Sequence, residues 1–355
     1  MKSSTHWRSI VTGETNGLIA RAMRGVAACV EPLYAAVVAR KNRQFDSGRL
    51  KPTDVGVPVI SVGNLTVGGT GKTPMVVWLA RWFREHGTQV TLVSRGYGAK
   101  SGQPNDEFQE IAAQLPDVPH LQNPDRIAAA REALAREPKQ VLILDDAFQH
   151  RRIARDFDLV LLDALDPFGA GRLLPRGLLR EPVTSLCRAH AVALSRADAV
   201  SAARRDEIRQ QVAAMAPHAL WLELEHRPAA LVQHGAASML PIESLRGRQV
   251  AAFCGIGNPA GFQHTLTACG ADVIAMREYP DHFAYPPSEV DSLEKWLVTT
   301  AKAAESVVCT HKDLVKIPRQ NLAGKPLLAV QIAAAFHSGQ ESLEERLAQL
   351  LQKAQ

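Results

Sequence analysis

Cysteine is thin in this chain. Cys29, Cys187, Cys254, Cys269 and Cys309 are an odd number in 355 residues and form no C-x-x-C pair. That excludes a disulfide framework and a thiolate zinc site, and it suits a reducing compartment with ordinary buried thiols. No run of about 18 uncharged apolar residues occurs, so a simple membrane-spanning helix is not expected. The amino terminus lacks the layout of a signal peptide. Aromatic residues make up only 5% of the chain. Basic and acidic residues nearly cancel beyond residue 51, and these two features together argue against a nucleic-acid-binding protein. Internal repeats and low-complexity tracts are missing as well.

What is present begins with charge at one end. Residues 1–51 hold nine Lys/Arg against three acids, a net of +6, whereas the other 304 residues hold 32 basic and 33 acidic ones. Within residues 16–40, Ile19, Met23, Val26, Val30, Leu33 and Val37 recur at spacings of four and three. They form one helical stripe with Arg21 and Arg24 off it and Arg40, Lys41 and Arg43 just beyond. Pro32 is expected to kink this helix or to begin its second half. Such a basic amphipathic segment either lies in a membrane interface or packs on the rest of the protein.

The chain is organised around residues 57–74. A β-branched run leads into a glycine-rich loop, then Lys72-Thr73 and an amphipathic stretch to about His86, which reads as strand, phosphate loop and helix. Gly68, Gly69 and Gly71 let the backbone N–H groups of Val67 to Thr73, Thr70 included, turn toward a polyphosphate at the positive end of the helix. Lys72 is expected on the β- and γ-phosphates and Thr73 on Mg²⁺. The first glycine of the usual G-x-x-x-x-G-K-[ST] pattern is replaced by Thr66.

A second signal is Val141-Leu-Ile-Leu-Asp145-Asp146. An apolar strand ending in paired carboxylates is how phosphate-loop enzymes hold Mg²⁺ opposite the loop threonine, and two unpaired buried acids are costly otherwise. Arg95–Gly98, after a strand at Gln89–Ser94, reads as a ligand loop at the carboxyl edge of a parallel sheet or as a structural turn, and further core strands are expected at 156–163 and 190–195. Asp106-Glu107 reads as a helix start or as carboxylates that meet a substrate hydroxyl. Arg126, in the first turn of a helix to about Arg136, is either exposed or a phosphate ligand. Gln149 and His150 are loop-shaping candidates. The long 169–182 connection carries Arg180 and Glu181, which form an ion pair or serve phosphate and metal. Strand-like segments 219–226 and 230–234 suggest a β-hairpin between two units, after which 248–255, 272–276, 306–310 and 327–332 supply a second βα series. The 255–259 loop lacks the dinucleotide fingerprint. His282 and His311 each stand beside acids.

Taken together, segments 61–74 (SVGNLTVGGTGKTP), 94–98 (SRGYG), Asp106-Glu107, 142–152 (LILDDAFQHRR), 173–182 (LLPRGLLREP), 279–283 (YPDHF) and 310–313 (THKD) resemble the tetraacyldisaccharide 4′-kinase family of the lipid A pathway, in the family's order. The resemblance covers roughly residues 55–320. It implies transfer of the ATP γ-phosphate to the 4′-hydroxyl of a glycolipid, tetraacyldisaccharide 1-phosphate, at the cytoplasmic face of a bacterial inner membrane. The enzyme would be peripheral or monotopic there. Its fold would be a P-loop NTPase-like α/β/α domain plus a smaller α/β domain, with an interface segment at 1–50, a kinase domain at 51–218, a two-stranded linker at 219–240 and a carboxy-terminal domain at 241–355. It implies ATP and Mg²⁺ as cofactors, the inner-membrane lipid interface as partner, and neither nucleic acid nor a protein partner.

Residue by residue, the resemblance makes Asp106 the base and His282 its partner, with Lys72 and Arg180 on the transferred phosphate. It assigns Arg126 to the nucleotide phosphates and Thr73, Asp145, Asp146, Glu107 and Glu181 to the metal surroundings. Ala147 stands where the family has glycine and His311 where it has glutamate. The rival reading, a GTPase-type switch, asks for an N-K-x-D-like base-reading segment, to which only 310–313 comes close.

Overall fold

The computed structural model describes residues 4–13, 15–96, 106–236 and 238–354. Tyr97 and Gly98, singled out above, lie outside the described residues. In chain order the elements are α1 (Ser4–Val11), α2 (Leu18–Asp46), β1 (Val59–Asn64), α3 (Lys72–Glu85), β2 (Val90–Ser94), α4 (Asp106–Gln114), β3 (His120–Gln122), α5 (Arg126–Arg136), β4 (Val141–Asp145), β5 (Phe157–Asp163), β6 (Ala191–Ser195) and α6 (Ala202–Met215). There follow β7 (Leu220–Val232), β8 (Leu240–Pro241), β9 (Gln249–Cys254), α7 (Pro259–Ala268), β10 (Asp272–Glu278), α8 (Pro287–Thr300), β11 (Ser306–Thr310), α9 (His311–Leu314), β12 (Asn321–Leu322), β13 (Lys325–Ser338) and α10 (Gln340–Ala354).

All main strands join one twisted sheet in the order β10-β9-β11-β13-β7-β6-β5-β1-β4-β2-β3. From β6 to β3 the pairs are parallel, as are β10, β9, β11 and the start of β13. The central strands β1, β4, β5 and β6 are buried at every position, which is why they read as unbroken apolar runs.

The two halves are joined by β7 and β13, which cross antiparallel with Ala334 opposite His226. The segments expected at 219–226 and 230–234 are thus one strand through Pro228. The hairpin expected within 219–240 exists as the short β7–β8 ladder, while the principal partner of β7 is a strand about a hundred residues later. Proline is tolerated at 228 because it coincides with the register shift between Gln331 and Ile332. Leu343, Leu347 and Leu350 of α10 pack with Ile60, Met75 and Phe83 in the first half. The last helix therefore returns to the amino-terminal core and not to the unit expected at 241–355.

α2 runs unbroken for 29 residues through Pro32. By length and composition it is long and apolar enough to cross a membrane, a signal that the search for an uncharged run misses because Arg21, Arg24 and Glu31 interrupt it. Its stripe is bare: Ile19 is 78% exposed, Val26 66%, Leu33 69% and Val37 68%.

Candidate active site

The buried strand β1 feeds the phosphate loop, which the 169–182 segment grips from one side. Val67 N–H donates to Leu178 O (2.8 Å) and Arg180 N–H to Leu65 O (2.7 Å). The Val67 amide, expected on phosphate, is therefore already bonded. Gly68 and Gly69, by contrast, are exposed. Gly71 has φ +78° and ends the loop as the residue before α3, a left-handed position that suits glycine. The first-turn N–H groups of α3, at Lys72 and Thr73, have no helical partner and form an anion site.

The end of β4 places the acid pair opposite. Asp146, at φ +51°, accepts from Arg180 Nη1 with both oxygens (2.9 and 2.8 Å) and lies 3.5 Å from Lys72 Nζ. Burial alone would raise its pKa, but these two cations outweigh it and lower it. Asp145 is buried without that help. Burial, opposed only in part by Lys72, pushes its pKa up to about 7, and its Oδ1 has no hydrogen-bond partner.

α4 opens with Asp106, which faces the other half of the molecule. His282 Nδ1 lies 3.2 Å and Lys316 Nζ 2.8 Å from the same carboxylate oxygen, Oδ2. Burial works to raise the Asp106 pKa, yet these bonds bring it down to about 2. His282 Nε2 lies 3.2 Å from Lys312 Nζ. An ammonium can only donate, so the proton of the neutral ring sits on Nδ1 and points at Asp106. Lys316 also donates to Phe283 O (3.0 Å). One carboxylate is thereby held by two groups from across the cleft, with Oδ1 unengaged among the described residues.

The other expected residues are placed differently. Arg126 is 2% exposed and donates to Asn123 O and Asp145 O, so it braces the end of β4 in place of lining the nucleotide surface. Glu181 is buried and paired with Arg188 (2.6 Å), which leaves it an ion-pair partner and not an open metal ligand. Glu107 is exposed beside Asp106 and near enough to Asp145 to raise its pKa. Gln149 donates to Asn64 O, and His150 is held neutral, near pKa 4, by burial and neighbouring cations. His311 is buried with Nδ1 4.0 Å from Glu110 Oε1, at the contact between α4 and α9. Ala147 fits without a positive φ; the strained position is Asp146. Sequence reasoning missed Lys312 and Lys316 as site residues. Lys312 lies in α9 and Lys316 in the turn after it, so no local periodicity marks them, and the packing of the two halves brings them to His282 and Asp106.

Among the described residues no cluster of three or more His, Cys, Asp or Glu side chains could hold a metal by itself. An unpartnered buried carboxylate oxygen on Asp145 beside a phosphate loop does fit Mg²⁺, which is bound through one or two carboxylates plus substrate phosphates.

A parallel sheet with a phosphate loop, a Lys-Thr helix start and an acid pair on the neighbouring strand defines a P-loop nucleoside-triphosphate-binding protein. The family model for tetraacyldisaccharide-1-P 4′-kinase matches residues 25–352. Curated tetraacyldisaccharide 4′-kinases from Anaeromyxobacter sp. (strain Fw109-5) and Geobacter sulfurreducens are 37% and 35% identical, each over 89% of this chain and 89% and 91% of their own. A crystal structure of LpxK from Aquifex aeolicus in complex with ATP superposes with a TM-score of 0.74 at 28% identity, over 92% of this chain and 99% of that one. The chain belongs to the tetraacyldisaccharide-1-P 4′-kinase family.

Proposed function

We propose that this protein is an ATP-dependent kinase that transfers the γ-phosphate to the 4′-hydroxyl of tetraacyldisaccharide 1-phosphate, and that the residues described above carry the reaction. The observation that carries the site assignment is the start of α4. Its Asp106 meets His282 and Lys316 from the far half, while its Glu107 acts on Asp145 beside the phosphate loop. An acceptor hydroxyl at Asp106 therefore stands between the two halves, facing the phosphates.

Phosphoryl transfer is catalysed mainly by positioning and charge neutralisation. The α3 amino terminus and Lys72 bind the polyphosphate, and Arg180 neutralises charge spreading onto the transferred group. Asp106 Oδ1 accepts the hydroxyl proton, while His282 and Lys316 hold Oδ2 and so fix the rotation of the carboxylate. Mg²⁺, held by Asp145 and Thr73 with Asp146 close by, supplies the remaining neutralisation when bound. Asp145 is the better direct ligand because Asp146 is already engaged by Lys72 and Arg180. In this reading Lys72 and Arg180 leave Asp146 for the phosphates when nucleotide enters.

We further propose that α2 lies in the cytoplasmic membrane interface and does not span it. Its polar side is fastened along the kinase body: Glu31 to Arg176 and to Leu173 N–H, Tyr34 to Arg180 O, Lys41 to Gln149 O and Asp46 to Arg151. A helix fixed along its flank to the protein, with a bare apolar stripe on another side, is suited to lie on a bilayer that holds the substrate's acyl chains.

The test is radiolabelled phosphate transfer from ATP to tetraacyldisaccharide 1-phosphate in mixed micelles. Wild type labels the lipid, and Asp106→Asn and His282→Ala each lower kcat by about 10²–10⁴-fold, the usual contribution of a positioned acid–base group, while ATP binding persists. Folded, ATP-binding wild type that labels no lipid would refute the activity. An unimpaired His282→Ala would refute the base pair alone.

A further inference from the structure

His226 takes no part in the chemistry above. It sits on the crossing strand β7, opposite Ala334 of β13, and its ring fills the space where a side chain at Gly71 would be. A Cβ built on Gly71 would overlap His226 Nε2 and Cε1. Glycine is thus required at the end of the phosphate loop twice over, by its φ of +78° and by this histidine. The Nε2 atom is buried and has no hydrogen-bond partner, a condition that few native polar atoms show without a role. Burial, reinforced by Arg196 and opposed by Asp198, keeps the imidazole neutral with a pKa near 4. The second crossing strand meets the same unit further along: Phe336 of β13 packs edge-on against Trp78 of α3 with ring centroids 4.8 Å apart. Both strands that join the halves therefore rest on the loop and helix that hold ATP.

We propose that His226 is a positioning residue that couples nucleotide occupancy of the phosphate loop to the half of the molecule whose loop after β10, helix α9 and following turn carry His282, Lys312 and Lys316. This inference rests on the ATP-site reading and deepens it. A nucleotide that settles Gly71 moves or fixes the atoms against which His226 packs, and β7 passes that constraint to the far half. A ligand shifts such an equilibrium only through a contact that differs between states, and the His226–Gly71 contact is one the loop cannot rearrange without changing.

Hydrogen exchange with and without Mg-ATP, in the absence of lipid, tests this. In wild type, nucleotide slows exchange at 67–73, which reports ATP binding itself, and also at 222–232 in β7. In His226→Ala the first protection persists at saturating ATP while the second is lost. KM for ATP rises about tenfold, a usual size for coupling between sites, with a smaller change in kcat. His226→Gln, which keeps a neutral polar end, restores most of both. Protection at 67–73 without protection of β7 in wild type overturns the coupling and leaves the ATP site standing, whether or not the variants fold. Unchanged KM and β7 protection in His226→Ala overturns it too. No protection at 67–73 in wild type would fell the ATP reading, and this inference with it.

Discussion

Asp145 and Asp146 are adjacent yet electrostatically opposite. Asp146 is ionised by Lys72 and Arg180, whereas Asp145, with no partner for Oδ1, is held near pKa 7 by burial. A carboxylate must be deprotonated to bind a cation, so binding there competes with a proton. Mg-ATP affinity is therefore expected to weaken as pH falls through about 7, with net proton release on binding near neutrality. Calorimetric titration in buffers of differing ionisation enthalpy measures that release, and Asp145→Asn should abolish it. Asp106 shows the reverse case. Its low pKa makes it a carboxylate throughout the physiological range, and in the proposed mechanism its basicity toward a hydroxyl depends on how His282 and Lys316 are arranged.

α2 shows how one helix serves two surroundings. Its inner side is tied by Glu31, Tyr34, Lys41 and Asp46 to the very loops that carry Arg180 and Gln149, while Ile19, Val26, Leu33 and Val37 of its outer stripe are largely exposed. The Tyr34 hydroxyl donates to the carbonyl of the arginine that grips Asp146, so α2 and the phosphate loop's surroundings share one residue. Exposed side chains contribute little to folding, so the double variant Leu33→Glu/Val37→Glu should keep its melting temperature. Each lost apolar contact with a bilayer is worth up to ~1.5–3 kcal/mol, so co-sedimentation with anionic vesicles should fall at least about tenfold. Unchanged vesicle binding would rule out this stripe as the membrane surface.

The whole molecule is two half-sheets joined by two strands, with Asp106 of one half bonded to His282 and Lys316 of the other. Beside that contact lies a second, part-buried acid, Glu110. Burial, opposed in part by Lys312, raises the Glu110 pKa to about 7 from the usual value near 4.5, and the neutral His311 faces it. The folded pKa lies above the unfolded one, so protonation of Glu110 favours the folded state. That stability is fully present below the unfolded value and is lost as pH rises through about 7. Melting temperature is expected to decline as pH rises from about 4.5 to about 7, and Glu110→Gln should remove that part of the decline. A variant whose pH profile matches wild type would place Glu110 outside the linkage.

What the sequence alone determined is whatever is written in contiguous spacing. The strand, glycine loop and Lys72-Thr73 helix start, the acid pair closing β4, the parallel α/β class and the amphipathic stripe all depend on neighbours within a few residues. Their signals survive in one dimension. The tertiary structure decided what depends on register between distant segments. It buried Arg126 behind β4, matched Glu181 with Arg188, paired β7 with β13 and returned α10 to the first core. It also brought Asp106 within reach of a histidine 176 residues away and set His226 against Gly71. Burial and pairing set the charge and availability of a side chain, and both are properties of the packed sheet, which no local pattern encodes.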